Sequence, residues 1–89
     1  MKIQISDIRI RKIMNKDKLC AVVSLTINES IAIHDIKLVQ GEERMFVAMP
    51  SKRDKKGTYH DIVHPLNAEV REYLEQEILN AYDDYVSAG

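Results

Sequence analysis

The dipeptide His64-Pro65 separates two hydrophobic periods, and that change constrains the fold more than any other feature of the chain. The residue before a proline is pushed toward extended backbone, so no helix runs through this point. Upstream, apolar residues alternate. The clearest case is Leu19, Ala21, Val23, Leu25 and Ile27 on one face, with Cys20, Val22, Ser24, Thr26 and Asn28 on the other, which is the pattern of a half-buried strand. Downstream, from Ala68, the spacing becomes i, i+3, i+4 through Val70, Tyr73, Leu74, Ile78, Ala81, Tyr82, Tyr85 and Val86. That predicts one helix of about five turns. Asn67 is placed to cap it and Glu69 to favour the positive end of its dipole. Glu69, Glu72, Glu75, Glu77, Asp83 and Asp84 form the opposite, acidic face.

The upstream half divides further. Residues 3–13 alternate with a phase slip at Ser6-Asp7, predicting a strand with a bulge, and Arg9 and Arg11 then share the face opposite Ile8 and Ile10. Asn15 to Lys18 reads as a turn. A third strand is expected over Ile31–Val39, with a phase change at His34-Asp35, then a turn where Gly41 is free to take positive φ. The fourth runs from Met45 to Met49, stopped by Pro50, which cannot donate to a ladder. Ser51 to Gly57 reads as a polar loop and Thr58 to Val63 as a short fifth strand. The expected fold is α+β: a four- to five-stranded antiparallel sheet followed by one long C-terminal amphipathic helix, in a single domain over 1–89.

A chain of 89 residues buries only roughly 60% of its unfolded surface, so pairing with a second copy is a natural way to gain burial. The single cysteine, Cys20, forms no internal disulfide, which fits a reducing compartment. Charges interrupt the N-terminal apolar residues, and no run approaches the roughly 20 residues that span a bilayer. The expectation is a cytoplasmic protein with no membrane contact.

The net charge of −1 hides a strong asymmetry. Residues 1–18 carry six basic and two acidic groups, residues 51–60 four basic and one acidic, and residues 61–89 seven acids and one base, Arg71. Local sign decides what a surface attracts. The basic loop Ser51-Lys52-Arg53-Asp54-Lys55-Lys56-Gly57, close to a helix N-terminus, has the makings of a phosphate clamp. Its bland reading is a solvated turn. Tyr59 is placed to stack on a base. His60 and His64, in the order HDxxH, share a face if the strand continues through both, but no third ligand stands at a characteristic spacing. Ser24 or Ser51 with a His-Asp pair makes a triad only by geometry that sequence does not show, and there is no nucleophile elbow or phosphate-cradling glycine pattern. No catalytic residue, metal, cofactor or small-molecule substrate is expected.

The segments HDIKLV, FVAMPSKR and HDIVHPLN, in that order and followed by a helix, resemble the SpoVG family (stage V sporulation protein G, septation regulators), from Ile3 to about Tyr82. The resemblance implies a small bacterial cytoplasmic homodimer, with an antiparallel sheet and a C-terminal helix. It also implies a DNA-binding regulator, in some members RNA-binding, that influences sporulation, septation, capsule or virulence programmes. Family DNA contacts carry over to Lys52 and Arg53 of the SKR motif and to Arg71 early in the helix. Lys55 and Lys56 join them on charge alone. Ala68-Glu69-Val70 departs from the family's more Ser/Thr-rich helix opening. The other class left open is a protein-interaction adaptor that uses the acidic helix or a sheet edge without touching nucleic acid. Charge reversal at Lys52 and Arg53 separates the two.

Overall fold

The computed structural model describes residues 3–88, and for residues 15 and 16 the backbone alone. Four strands, β1 (Ile5–Lys16), β2 (Leu19–Ile27), β3 (Ile31–Gln40) and β4 (Met45–Ala48), form an antiparallel sheet in the order of the chain. A separate two-stranded sheet follows, β5 (Ser51–Arg53) with β6 (Tyr59–Asp61), and then helix α1 (Ala68–Ala88). The architecture is the expected α+β arrangement. The correction concerns the stretch after Pro50. The polar loop begins as a strand, and the fifth-strand residues pair with it instead of extending the main sheet.

The phase slips read from the sequence are bulges in the ladder. β1 shifts against β2 between Ile5 and Asp7, and again between Ile10 and Lys12. β2 shifts against β3 between the pairs Val23–Ile36 and Leu25–Ile33, with Asp35 at φ 62°. The extra residue there returns Ile36 and Leu38 to the same face as Ile33, and all three are buried. Without that bulge, the period of two would send them to opposite faces. Between β2 and β3, Asn28 and Glu29 both have positive φ and Ser30 N donates to Ile27 O at 3.0 Å, the signature of a type I′ turn, whose twist matches the flanking strands. Gly41 keeps φ outside the left-handed region. Glycine is required there because a Cβ would lie 2.7 Å from the carbonyl of Arg44.

The helix lies on one face of the sheet only. Leu74 and Ile78 are buried with Ala21, Val23 and Leu25 of β2, Ile33, Ile36 and Leu38 of β3, and Val47 of β4. Asn67 Oδ1 accepts from Val70 N at 2.9 Å, the expected N-cap, and Tyr73 Oη accepts from Ile5 N at 3.0 Å, tying the helix to β1. The stripe is shorter than its periodicity predicts, since Tyr85 and Val86 are exposed. Glu75 and Glu77 are half-buried on the acidic face. Glu75 is tied to the approach to β4, its carboxylate largely covered, 3.9 Å from Arg44 Nη2. Among the described residues no helix is long and apolar enough to cross a membrane.

Candidate nucleic-acid interface

The basic residues after Pro50 are arranged by one aspartate. In the β5–β6 ladder Lys52 lies opposite His60 and Arg53 opposite Tyr59. Ile62 N donates to Pro50 O at 2.8 Å, adding one more rung. The turn between the strands closes on Asp54. Its Oδ1 accepts from the amides of Lys56 (2.8 Å) and Thr58 (2.9 Å), and its Oδ2 lies 2.8 Å from His60 Nε2. Its own N–H donates to Thr58 O, and its carbonyl accepts from Gly57 N. A short carboxylate that satisfies two amides ahead of it is an Asx-type turn, the reason Asp is favoured at such positions. The hydrogen bond to His60, followed by the bond from Thr58, holds the Asp54 carboxyl below its ordinary value.

Gly57 supplies the conformation that the turn needs, with φ +87°. A Cβ on it would meet Arg53 Nη2 at 3.2 Å, so the guanidinium lies against the glycine. Directly opposed residues share a face. Lys52, His60 and the Asp54 carboxylate therefore occupy one side of the hairpin, and Arg53 and Tyr59 the other. Ser51 through Lys56 are exposed, and Tyr59 is 67% exposed. The tip thus presents two cations of the turn itself, Lys55 and Lys56, between a lysine on one face and an arginine beside an open aromatic ring on the other. That arrangement supplies point charges for phosphate and a planar pair for a base.

Arg71 is placed elsewhere. It lies in the first turn of α1, its N–H donating to Asn67 O at 3.1 Å, along grooves lined by Met49, Pro65 and Leu74 on one side and by Arg44 and Glu72 on the other, with Glu75 common to both. Lys52, Arg53, Lys55 and Lys56 form one group, and Arg71 belongs to a second, partly acidic one.

The histidines have local duties. β6 ends at Asp61, so residues 60 and 64 do not share a strand face as the HDxxH reading required. His60 pairs with Asp54, and His64 Nδ1 is 3.1 Å from Pro65 O. Ser24 does meet a histidine, its Oγ lying 2.9 Å from His34 Nδ1. Among the described residues no carboxylate is hydrogen-bonded to the other ring nitrogen, the contact that orients a triad. Arg11 Nε donates to the same Oγ at 3.3 Å. This three-strand cluster escaped the sequence reading. Its traces there are the placing of Arg9 and Arg11 opposite Ile8 and Ile10 and the pairing of Ser24 with a His-Asp pair, which joined neither arginine to the serine.

The SpoVG family model matches residues 3–84. The chain belongs to the SpoVG family. It is 48% identical over 79 residues to a protein of Agathobacter rectalis, covering 89% of this chain and 91% of the relative. It is 46% identical over 79 residues to one of Lachnospira eligens, covering 89% and 90%. It is 40% identical over 86 residues to one of Caldicellulosiruptor saccharolyticus, covering 97% and 98%. Each of these relatives bears the name "Putative septation protein SpoVG". The matched span contains the whole sheet, the basic hairpin and most of the SpoVG-type helix.

Proposed function

We propose that this SpoVG-family chain is a cytoplasmic, homodimeric nucleic-acid-binding regulator that acts in septation and sporulation. Septation is the process named for its relatives, and sporulation comes from the family resemblance. The observation that carries the binding is the hairpin tip, where Lys52, Arg53, Lys55 and Lys56 are exposed together on a turn held in one conformation by Asp54. Phosphate contacts dominate nucleic-acid affinity, and a fixed tip loses less entropy on binding than a loose loop of the same charge. Pairing of two chains is supported by the stretch next to that tip. Ile62, Val63 and Leu66, within five positions of the chain, are 64%, 37% and 88% exposed, and exposed apolar groups that gather into a patch mark surfaces that another chain covers. Two copies double the number of cations on one ligand, which is how four per chain suffice.

The test is fluorescence anisotropy with labelled DNA duplex and RNA strands, titrated across salt. For Lys52→Glu/Arg53→Glu the slope of log affinity against log salt is expected to become shallower by about two for each engaged copy, since each lost phosphate contact removes roughly 0.9. Wild-type protein that stays folded and shows no salt-dependent binding sinks this reading. The adaptor then takes its place.

A further inference from the structure

The face of the main sheet that the helix leaves open carries four cations, Arg9, Arg11, Lys12 and Lys37, against two carboxylates, Asp7 and Asp35. We propose that this face is a second phosphate-binding surface, taking the backbone of a nucleic-acid strand laid across β1, β2 and β3. The inference rests on the proposed function for the class of ligand, not for the site. Outward residues follow from the register. Arg9 lies opposite Ser24, Lys12 opposite Val22, and Lys37 opposite Val22 on the other side. The bulge between Ile10 and Lys12 turns two consecutive residues, Arg11 and Lys12, toward the same concavity. That concavity, about 460 Å3, has Val22 and Ser24 in its floor and Arg11, Lys12, His34 and Asp35 around it.

The geometry is organised around Ser24, the one buried polar residue among those described, at 6% exposure. It accepts from Arg11 Nε. Because arginine only donates, the hydroxyl proton is free for His34 Nδ1, 2.9 Å away. The guanidinium is thereby fixed by its Nε edge, which leaves the two terminal nitrogens as an outward fork suited to phosphate oxygens. Lys12 and Lys37 are exposed and have no acidic partner within 4.0 Å among the described residues. Arg9 is held by Asp7 at 3.0 Å. Because of the bulge, Arg9 and Lys12 pair with residues only two apart on β2, about 7 Å at strand rise, so the cations form a row rather than a single pocket.

Charge complementarity also fits the acidic helix of a second copy, but the surface chemistry favours phosphate. A protein interface has an apolar core from which lysine is depleted. Here the outward centre is Val22, Ser24, Thr26 and Ala32, with Met14 at one end, all small or medium side chains set between cations and without a large apolar anchor. The helix, in turn, keeps Glu75 and Glu77 half-buried and exposes acids only near its two ends. With no exposed aromatic among these central residues, recognition is of the backbone and not of bases.

The experiment compares Lys12→Glu/Lys37→Glu, Lys52→Glu/Arg53→Glu and the combined protein, with an oligo-dT strand and a mixed-sequence duplex as probes. Among the described residues neither Lys12 nor Lys37 makes a side-chain hydrogen bond or ion pair, so the first variant is expected to fold, checked by circular dichroism. It should make the salt slope shallower by roughly 1.4 on the single strand for each engaged copy, at about 0.7 per lost phosphate contact, additively with the tip variant. Loss of binding in this variant with an unaffected tip variant leaves this proposal standing and removes the hairpin reading. A wild-type slope and affinity overturns it and leaves the hairpin reading in place. Weakened binding that sedimentation traces to a dimer falling apart also overturns it, because the face would then serve a second copy. Arg11→Lys keeps the charge but not the donor to Ser24, and should weaken binding less than Arg11→Glu.

Discussion

The sheet with its helix and the β5–β6 hairpin are two kinds of structure within one small chain. In the first, nine residues from β2, β3, β4 and α1 are buried in a single cluster. In the second, every residue of both strands is exposed. The body is held by apolar burial, at about 1.5–3 kcal/mol for each large side chain fully covered. The hairpin is held by hydrogen bonds that meet at Asp54, in a two-stranded unit of the size that is marginal alone in water. The contrast teaches where function sits. A surface free of packing duties can be all charge, provided that a turn fixes its shape.

The largest expected effect is in the body. Ile36→Ala removes a fully buried side chain at the centre of the cluster and should cost about 2–5 kcal/mol, read as a fall in urea midpoint. For a domain of this size that approaches its whole stability. A loss of under about 1 kcal/mol would mean that the core is looser than its burial indicates. Smaller, and different in kind, is the effect of Ile62→Ser/Leu66→Ser beside the hairpin. These side chains are exposed and lie outside the buried cluster, so the midpoint of isolated protomers should stay within roughly 0.5 kcal/mol. The proposed homodimer should nonetheless dissociate at concentrations tenfold or more above wild type, for about 1.4 kcal/mol per tenfold. Sedimentation over a dilution series checks this. An unchanged dimer would move the interface away from the hairpin and break the link between it and pairing.

The body was legible in the sequence because period decides it. β2 alternates without a slip through Leu25, and α1 announces itself by Asn67 and its spacing. Even the bulges were visible as phase changes at Ser6-Asp7 and His34-Asp35. The hairpin was less legible because its ordering residue, Asp54, resembles any loop carboxylate until its four partners are known. A strand of Ser51, Lys52 and Arg53 carries no alternation to detect. The exposed end of the helix stripe was missed for another reason: periodicity says which face is apolar, not how far the sheet beneath it extends. The Arg11–Ser24–His34 cluster joins three strands, and register between strands is what a linear pattern lacks. Membership of the SpoVG family was readable in FVAMPSKR and HDIVHPLN because those segments combine a strand end, the hairpin and the helix start in one order.

The smallest effect tests the hairpin's own mode of stabilisation. Asp54 has its carboxyl held below the ordinary value of 3.8, chiefly by His60. A depressed folded value means that the carboxylate contributes its stabilisation in full above the unfolded value, and loses it as pH falls through the lower folded one. Acidification below 3.8 should therefore loosen the turn while the buried cluster, which contains no titratable group, keeps its ladder. Amide resonances of Lys56 and Thr58, the two donors to Asp54, are expected to titrate together with a midpoint below 3.8, and those of Val23 and Leu38 to stay unmoved. In Asp54→Asn the shared titration should vanish, because the amide keeps an acceptor oxygen but carries no charge. A midpoint at or above the ordinary value would show that the turn is not organised by its carboxylate, and the tip would then be a loose cluster of charge instead of a shaped one.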